Sequence, residues 1–144
     1  IKIVPAKGVS RTEFNILYPC FVIGGSGIDL CAREDYEIEP GAVTLVQTGV
    51  CIQPQEGYQT LLLPRSSMGK RGLGLANGVG LIDPDYRGQI MAYMVNHSEH
   101  TVSIKQGDRI LQLLVIPFIL PMVETVAELE ASTRGEKGFG EFTG

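Results

Sequence analysis

The sequence predicts an all-β fold, a sandwich or barrel, with at most one short helix and a mobile C-terminal arm. Three observations point there. Strand-like apolar runs recur roughly every dozen residues, as in all-β sandwiches and barrels. Glycine- and proline-bearing turns separate them: EPGA, QEGY, PDYRG, NHSEH and KQGD. Segments with helical periodicity are scarce.

In chain order, TLVQTGVCIQP places Val46, Thr48, Val50 and Ile52 on one face with a period of two. TLLLPRSS begins as a continuous apolar run and stops at Pro64. SSMGKRG offers a helical turn or two after Arg65, with Ser66 as its cap. QIMAYMVNHS and RILQLLVIPFIL are apolar on both faces, as strands buried on both sides are. In VETVAELEAS, Val123, Thr125, Ala127 and Leu129 alternate, which predicts a further strand. Residues 133–144 form a glycine-rich arm after a single β domain, 1–132.

A chain of 144 residues with 44% hydrophobic content forms one domain with a real core. No apolar stretch reaches the roughly 18 residues of a spanning helix, and the IKIVPAKGVSRTEF start lacks a signal-peptide core, so no membrane partner is expected. Three cysteines without metal-ligand spacing predict reduced thiols in a cytoplasmic protein. A net charge of −4 argues against stable nucleic-acid binding, which needs a basic footprint. A phosphorylated small molecule remains compatible if a few arginines converge.

Five segments are too polar or too glycine-rich for the strands beside them. GGSGIDLCA, residues 24–32, holds Asp29 in apolar company; the residue either caps a turn or serves a site. PRSSMGKRG joins Arg65 to Ser66 and Ser67 at a helix start, a donor set for phosphate or an exposed capped turn, and it is not a P-loop. LANGVGLIDPDYRG packs Asp83, Asp85, Tyr86 and Arg87 into one turn. In QGDRILQ, Gln112 interrupts an apolar strand and needs a partner, either across the strands or in a ligand. STRGEKGFGEFTG ends the chain with no helix to follow, which excludes a dinucleotide loop; Phe139 between glycines suits stacking on a planar ligand.

In order and spacing, GIDL, PRSSMGKRGL, NGVGLIDPDYRG, GDRILQL and RGEKGFG resemble the five motifs of the trimeric dUTPases, over Gly24 to Gly140. The resemblance implies a distorted jelly-roll or β-barrel, and hydrolysis of dUTP to dUMP and pyrophosphate with Mg2+. Such an activity keeps uracil out of DNA and supplies dUMP for dTMP synthesis. It further implies Asp83 as general base on the attacking water and Asp29 holding the metal through water. Tyr86 would lie against the deoxyribose, and Asn77, Gly80 and Met91 would read uracil largely through main-chain atoms. Ser66, Ser67 and Gln112 would bind phosphates, with Arg65 a structural fork beside them. Arg134 would reach the γ-phosphate, and Phe139 with Gly140 would close over the base. A homotrimer would build each site from three subunits, with QIMAYMVN and RILQLLVIPFIL lining the interface. The resemblance gives Asp85 and Arg87 no role; Arg87 is expected in a structural ion pair. A virally encoded chain would work in the host cytoplasm or nucleus.

After GFG the family continues with serine, whereas this chain has Glu141 and then Thr143. Glu141 is expected to turn outward, towards Lys137, and Thr143 to supply the hydroxyl. Two alternatives share the fold: a dCTP deaminase, against which the RGEKGFG arm speaks, and a regulatory binding protein that has lost catalysis.

Overall fold

A computed structural model describes residues 1–21 and 25–140. Eleven strands and two short helices follow in order: β1 (Lys2–Pro5), α1 (Arg11–Leu17), β2 (Cys20–Phe21), β3 (Ile28–Cys31), β4 (Tyr36–Ile38), β5 (Val43–Gln53), β6 (Tyr58–Pro64), α2 (Ser66–Lys70), β7 (Leu73–Leu75), β8 (Gly80–Ile82), β9 (Gln89–Asn96), β10 (Val102–Ile104) and β11 (Arg109–Pro117). Among the described residues, no helix is long and apolar enough to cross a membrane.

The strands form an antiparallel sheet β1-β5-β9-β7, a second one β2-β3-β11-β6-β8, and a small pair β10-β4. Their inner faces share one apolar core, with Val46, Ile52, Ile90 and Met94 from the first sheet and Leu30, Leu62, Ile110 and Leu113 from the second. The predicted alternation in β5 holds: Val46, Thr48, Val50 and Ile52 are all buried. Thr48 is admitted because its hydroxyl donates to the Ile90 carbonyl at 2.7 Å.

Several expectations need correction. Among the described residues there are two helices, not one at most. The first is announced by Ser10-Arg11-Thr12-Glu13, a capping-box sequence in which the Ser10 hydroxyl accepts from the Glu13 N–H at 3.1 Å. In α2 the N-cap position belongs to Arg65, without a side-chain cap, and Ser66 is the first helical residue. Strand β9 is not buried on both faces in the single chain: Ile90, Ala92 and Met94 face the core, while Met91 and Tyr93 are exposed. Strand β11 stops at Pro117, and no strand forms over Val123–Leu129, where Val123, Val126 and Leu129 are exposed. Residues 118–140 carry neither helix nor strand and are almost all exposed.

Candidate active site

Register brings the first polar cluster together. Gln112 of β11 lies opposite Asp29 of β3 on one side and opposite Leu63 of β6 on the other. Asp29 is buried, and an unpaired carboxylate there would be costly. Two arginines compensate it: Arg65 Nε lies 3.2 Å from Oδ1, and Arg109 Nη1 lies 3.8 Å from Oδ2. Arg65 also donates through Nη1 to the Arg109 carbonyl at 3.3 Å, and its N–H donates to the Ile110 carbonyl. The guanidinium thus fastens the start of α2 to β11 and β3 together. Gln112 Nε2 donates across the strands to the Pro64 carbonyl at 3.2 Å. Gly27 leaves the room this needs, since a Cβ there would come within 3.1 Å of Gln112 Oε1. Ser66 and Ser67 stand exposed beside the arginine pair. Arg109 was missed by the sequence reading, although it sits three residues before Gln112 in a segment already marked as unusual.

The second cluster surrounds a hairpin that crosses between the sheets. β7 is the edge of one sheet, next to β9, and β8 the edge of the other, next to β6. The turn between them uses Gly78 at φ +73° and an Asn77 side chain that donates to the Val79 carbonyl at 3.2 Å. Gly80 must be small, because a Cβ would stand 2.9 Å from the Leu62 Cβ. Between the hairpin and β9 lies a cleft of about 580 Å³ lined by Asn77, Gly80 and Met91, among others. That volume is in the range of small-molecule sites. An adjoining cleft of about 320 Å³ is lined by Asp83, Tyr86 and Gln89 and shares Leu81, Ile82, Met91 and Tyr93 with the first.

Within the 83–89 turn, the Tyr86 hydroxyl donates to the Gln89 carbonyl at 3.0 Å. The ring lies directly over Gly88, where a Cβ would be 2.3 Å from the hydroxyl oxygen. Arg87 does not form the expected ion pair. Its Nη1 donates to the carbonyls of Pro84, at 2.7 Å, and Tyr86, at 3.0 Å, because the turn carbonyls are nearer than any carboxylate.

The two clusters are not neighbours within one chain. Ile82 lies opposite Thr60 on β6, whereas Asp29 is level with Leu63 and two strands beyond β6. With about 3.3 Å per residue and 4.8 Å per strand, Asp83 and Asp29 stand on the order of 20 Å apart. In the described part of the tail, Phe139 is fully exposed at φ +50°, a Cβ on Gly140 would meet nothing within 4 Å, and Arg134 Nε donates to the Lys137 carbonyl at 2.8 Å. Gly24, Glu141, Phe142, Thr143 and Gly144 lie outside the described residues, and with them the expected course of Glu141 and Thr143.

Among the described residues, no three of His, Cys, Asp and Glu converge on a metal position. A lone Asp29 beside two arginines does not fit a protein-caged ion. A hard cation brought in with a phosphorylated ligand would be compatible with one carboxylate at this position.

Comparison with known proteins identifies the family. The family model described as dUTPase matches residues 23–143. The deoxyuridine 5'-triphosphate nucleotidohydrolase of Citrobacter koseri is 42% identical over 121 residues, 81% of this chain and 80% of the relative. The dUTPase of Streptococcus mutans superposes with a TM-score of 0.77 at 34% identity, covering 85% of this chain and 100% of the other. A G164S mutant of the Staphylococcus bacteriophage 80alpha dUTPase, solved with dUpNHpp, superposes at 0.82 with 25% identity over 97% and 96% of the two chains.

Proposed function

The chain belongs to the dUTPase family, and from that premise we propose that it hydrolyses dUTP to dUMP and pyrophosphate by attack of water on the α-phosphate. The bond that forms is from the water oxygen to the α-phosphorus, and the bond that breaks joins that phosphorus to the α,β-bridging oxygen. Asp83, exposed at the mouth of the smaller cleft, orients the water and takes its proton. Phosphoryl transfer asks little else than positioning and charge neutralisation. The first is the work of the hairpin: Asn77 and Gly80 offer main-chain atoms to uracil, Met91 packs beside it, and Tyr86 closes the sugar position against a 2'-hydroxyl.

Charge neutralisation falls to the other cluster. Ser66, Ser67 and Gln112 contact the phosphates while Arg65 holds them in place. Magnesium, when bound, would supply further neutralisation of the phosphate charge, and Asp29 would hold it. Arg134 and Phe139, on the 133–144 arm, reach the γ-phosphate and the base. In the cell this reaction keeps uracil out of DNA and supplies dUMP for dTMP synthesis.

The observation that carries this reading is the Asp83–Tyr86 turn, with its ring seated over Gly88, at the mouth of the hairpin cleft. Because Asp83 and Asp29 are so far apart in one chain, a complete site needs a second copy, and a homotrimer supplies it with the exposed arm of the third. Pyrophosphate release measured across dUTP, dTTP, dCTP and UTP tests the proposal. Turnover confined to dUTP is expected, whereas ammonia from dCTP would assign the chain to the deaminases of this fold.

A further inference from the structure

The side chain of Gln89 is held at both ends. Strand β5 bulges opposite it: Gln47 pairs with Met91, but the next pairing is Cys51 with Gln89, so four residues of β5 span two of β9. Inside the bulge, Gly49 takes φ +74°, and a Cβ there would collide with Leu17 of α1 at 2.5 Å. The Gly49 N–H points to Gln89 Oε1 at 2.9 Å, which replaces the ladder bond the bulge removes. Gln89 Nε2 then donates to Gln47 Oε1 at 3.0 Å. That same oxygen faces Arg33 Nη1 at 3.5 Å, and Arg33 is paired through Nε with Glu13 of α1 at 3.0 Å.

Two fixed donors therefore decide how both amides point. The Gly49 N–H demands an oxygen from Gln89, and the Arg33 guanidinium demands one from Gln47. Only one orientation of each amide satisfies the set. At the other end of the same residue, the Gln89 carbonyl accepts the Tyr86 hydroxyl at 3.0 Å. Gly88 keeps the space beneath the ring empty, so that this hydroxyl bond fixes the tilt of the ring.

We propose that Gln89 is a positioning residue for substrate specificity: its side chain locks it into the β5 bulge, and its carbonyl holds the Tyr86 ring at the angle that excludes a 2'-hydroxyl. This rests on the reading that Tyr86 lies against the sugar. Gln89 itself lines the smaller cleft and acts through Tyr86. The connection runs from α1 through Arg33, Gln47 and Gln89 to the ring, so a polar chain in the body of the domain tunes a discrimination made at its surface.

The readout is the ratio of kcat/KM for dUTP to that for UTP. Gln89→Met keeps the length of the side chain and removes both amide bonds, while Tyr86→Phe removes only the hydroxyl bond. Each is expected to lower the ratio about fivefold to tenfold, the worth of one hydrogen bond. The double variant should lose no more than either single one, because both cut the same tether. Losses that multiply in the double variant, or an unchanged ratio in the single ones, would overturn the proposal. If Gln89→Met does not fold, Tyr86→Phe decides alone. Tyr86→Ala separates the two levels. A collapsed ratio there with Tyr86→Phe and Gln89→Met unchanged refutes the tether and leaves the sugar reading standing. An unchanged ratio in Tyr86→Ala refutes both.

Discussion

Arg65 Nε stands 3.2 Å from Asp29 Oδ1, and the same guanidinium donates through Nη1 to the Arg109 carbonyl. One planar fork thereby ties the end of β6 to β3 and β11, three segments that carry separate sequence motifs. The Asp29 side chain is only 10% exposed, so it depends on this partner more than the arginine, at 34%, depends on it.

Arg65→Ala should therefore destabilise the fold. Breaking a buried pair costs about 3–5 kcal/mol, and the part-exposed arginine and the second cation at Arg109 reduce this to roughly 1–3 kcal/mol here. Arg65→Lys should recover little, since one ammonium does not reproduce a fork that serves two partners. Urea unfolding gives the measure: a lower midpoint at unchanged slope is expected for both.

For Asp83→Asn the fold and the binding of dUTP should survive, because the residue is exposed and takes no part in the core. Turnover should fall by about 10²–10⁴, the usual worth of a general base. Single-turnover kinetics close to the parent would remove Asp83 from that role.

Gly88→Ala brings a methyl group to 2.3 Å from the Tyr86 hydroxyl oxygen and 2.5 Å from Cζ. The ring has to leave its seat, whereas the backbone at Gly88 is not in the left-handed region and tolerates alanine. Thermal stability should stay near that of the parent while kcat/KM for dUTP drops by about tenfold or more, as misplacement at a reacting site does. A melting temperature that collapses with kinetics intact would contradict the seat described for the ring.

Much of this architecture is legible in the sequence, for identifiable reasons. The period of two in Val46, Thr48, Val50 and Ile52 reports a half-buried strand whatever the tertiary context. Gln112 stands out because an amide in an apolar strand must find a partner, and it finds the Pro64 carbonyl. The reading fails where burial depends on what lies outside one chain. Met91 and Tyr93 alternate with core residues, and Val123 to Leu129 keep a strand-like pattern with no sheet of this chain to join. It also fails where three-dimensional neighbours decide: nothing in the order of residues says that Arg109 reaches Asp29, or that Arg87 prefers two carbonyls to a carboxylate. Helix α1 is legible in its capping box, Ser10 to Glu13.

Asp35 predicts a pH effect. A hydrogen bond from the Gln106 N–H, and then the Lys105 side chain, lower its pKa below the ordinary 3.8. A folded-state pKa below the unfolded value contributes stability above the unfolded pKa, and that contribution disappears as pH falls through the folded one. The bonds join the 33–35 segment to the turn that feeds Arg109. Asp35→Asn should therefore melt earlier than the parent near neutral pH, and the gap should close below about pH 4. Melting curves from neutral to acidic pH check this, and a gap that widens on acidification would reverse the sign.

Assembly decides whether the two clusters meet. The outer face of β5 and β9 exposes Val43, Leu45, Met91 and Tyr93, which line the clefts, and the tail exposes Ile119, Leu120 and Met122, apolar side chains that a neighbouring copy would cover. With Asp83 and Asp29 on the order of 20 Å apart in one chain by strand spacing, the proposed positions for the water and the phosphates do not meet within a single copy. A threefold assembly is expected by light scattering, and truncation after Ser132 should abolish most activity, since Arg134 and Phe139 leave with it. The decisive test mixes two inactive parents, Asp83→Asn and Gln112→Ala, by co-refolding. If one copy supplies the base and its neighbour the phosphate contacts, random assembly makes about a quarter of the sites intact at both positions. Activity should then return to about that fraction of the parent. A mixture no more active than its two components would confine each site to one chain, and the separation of the clusters would then have to close by a change within the fold.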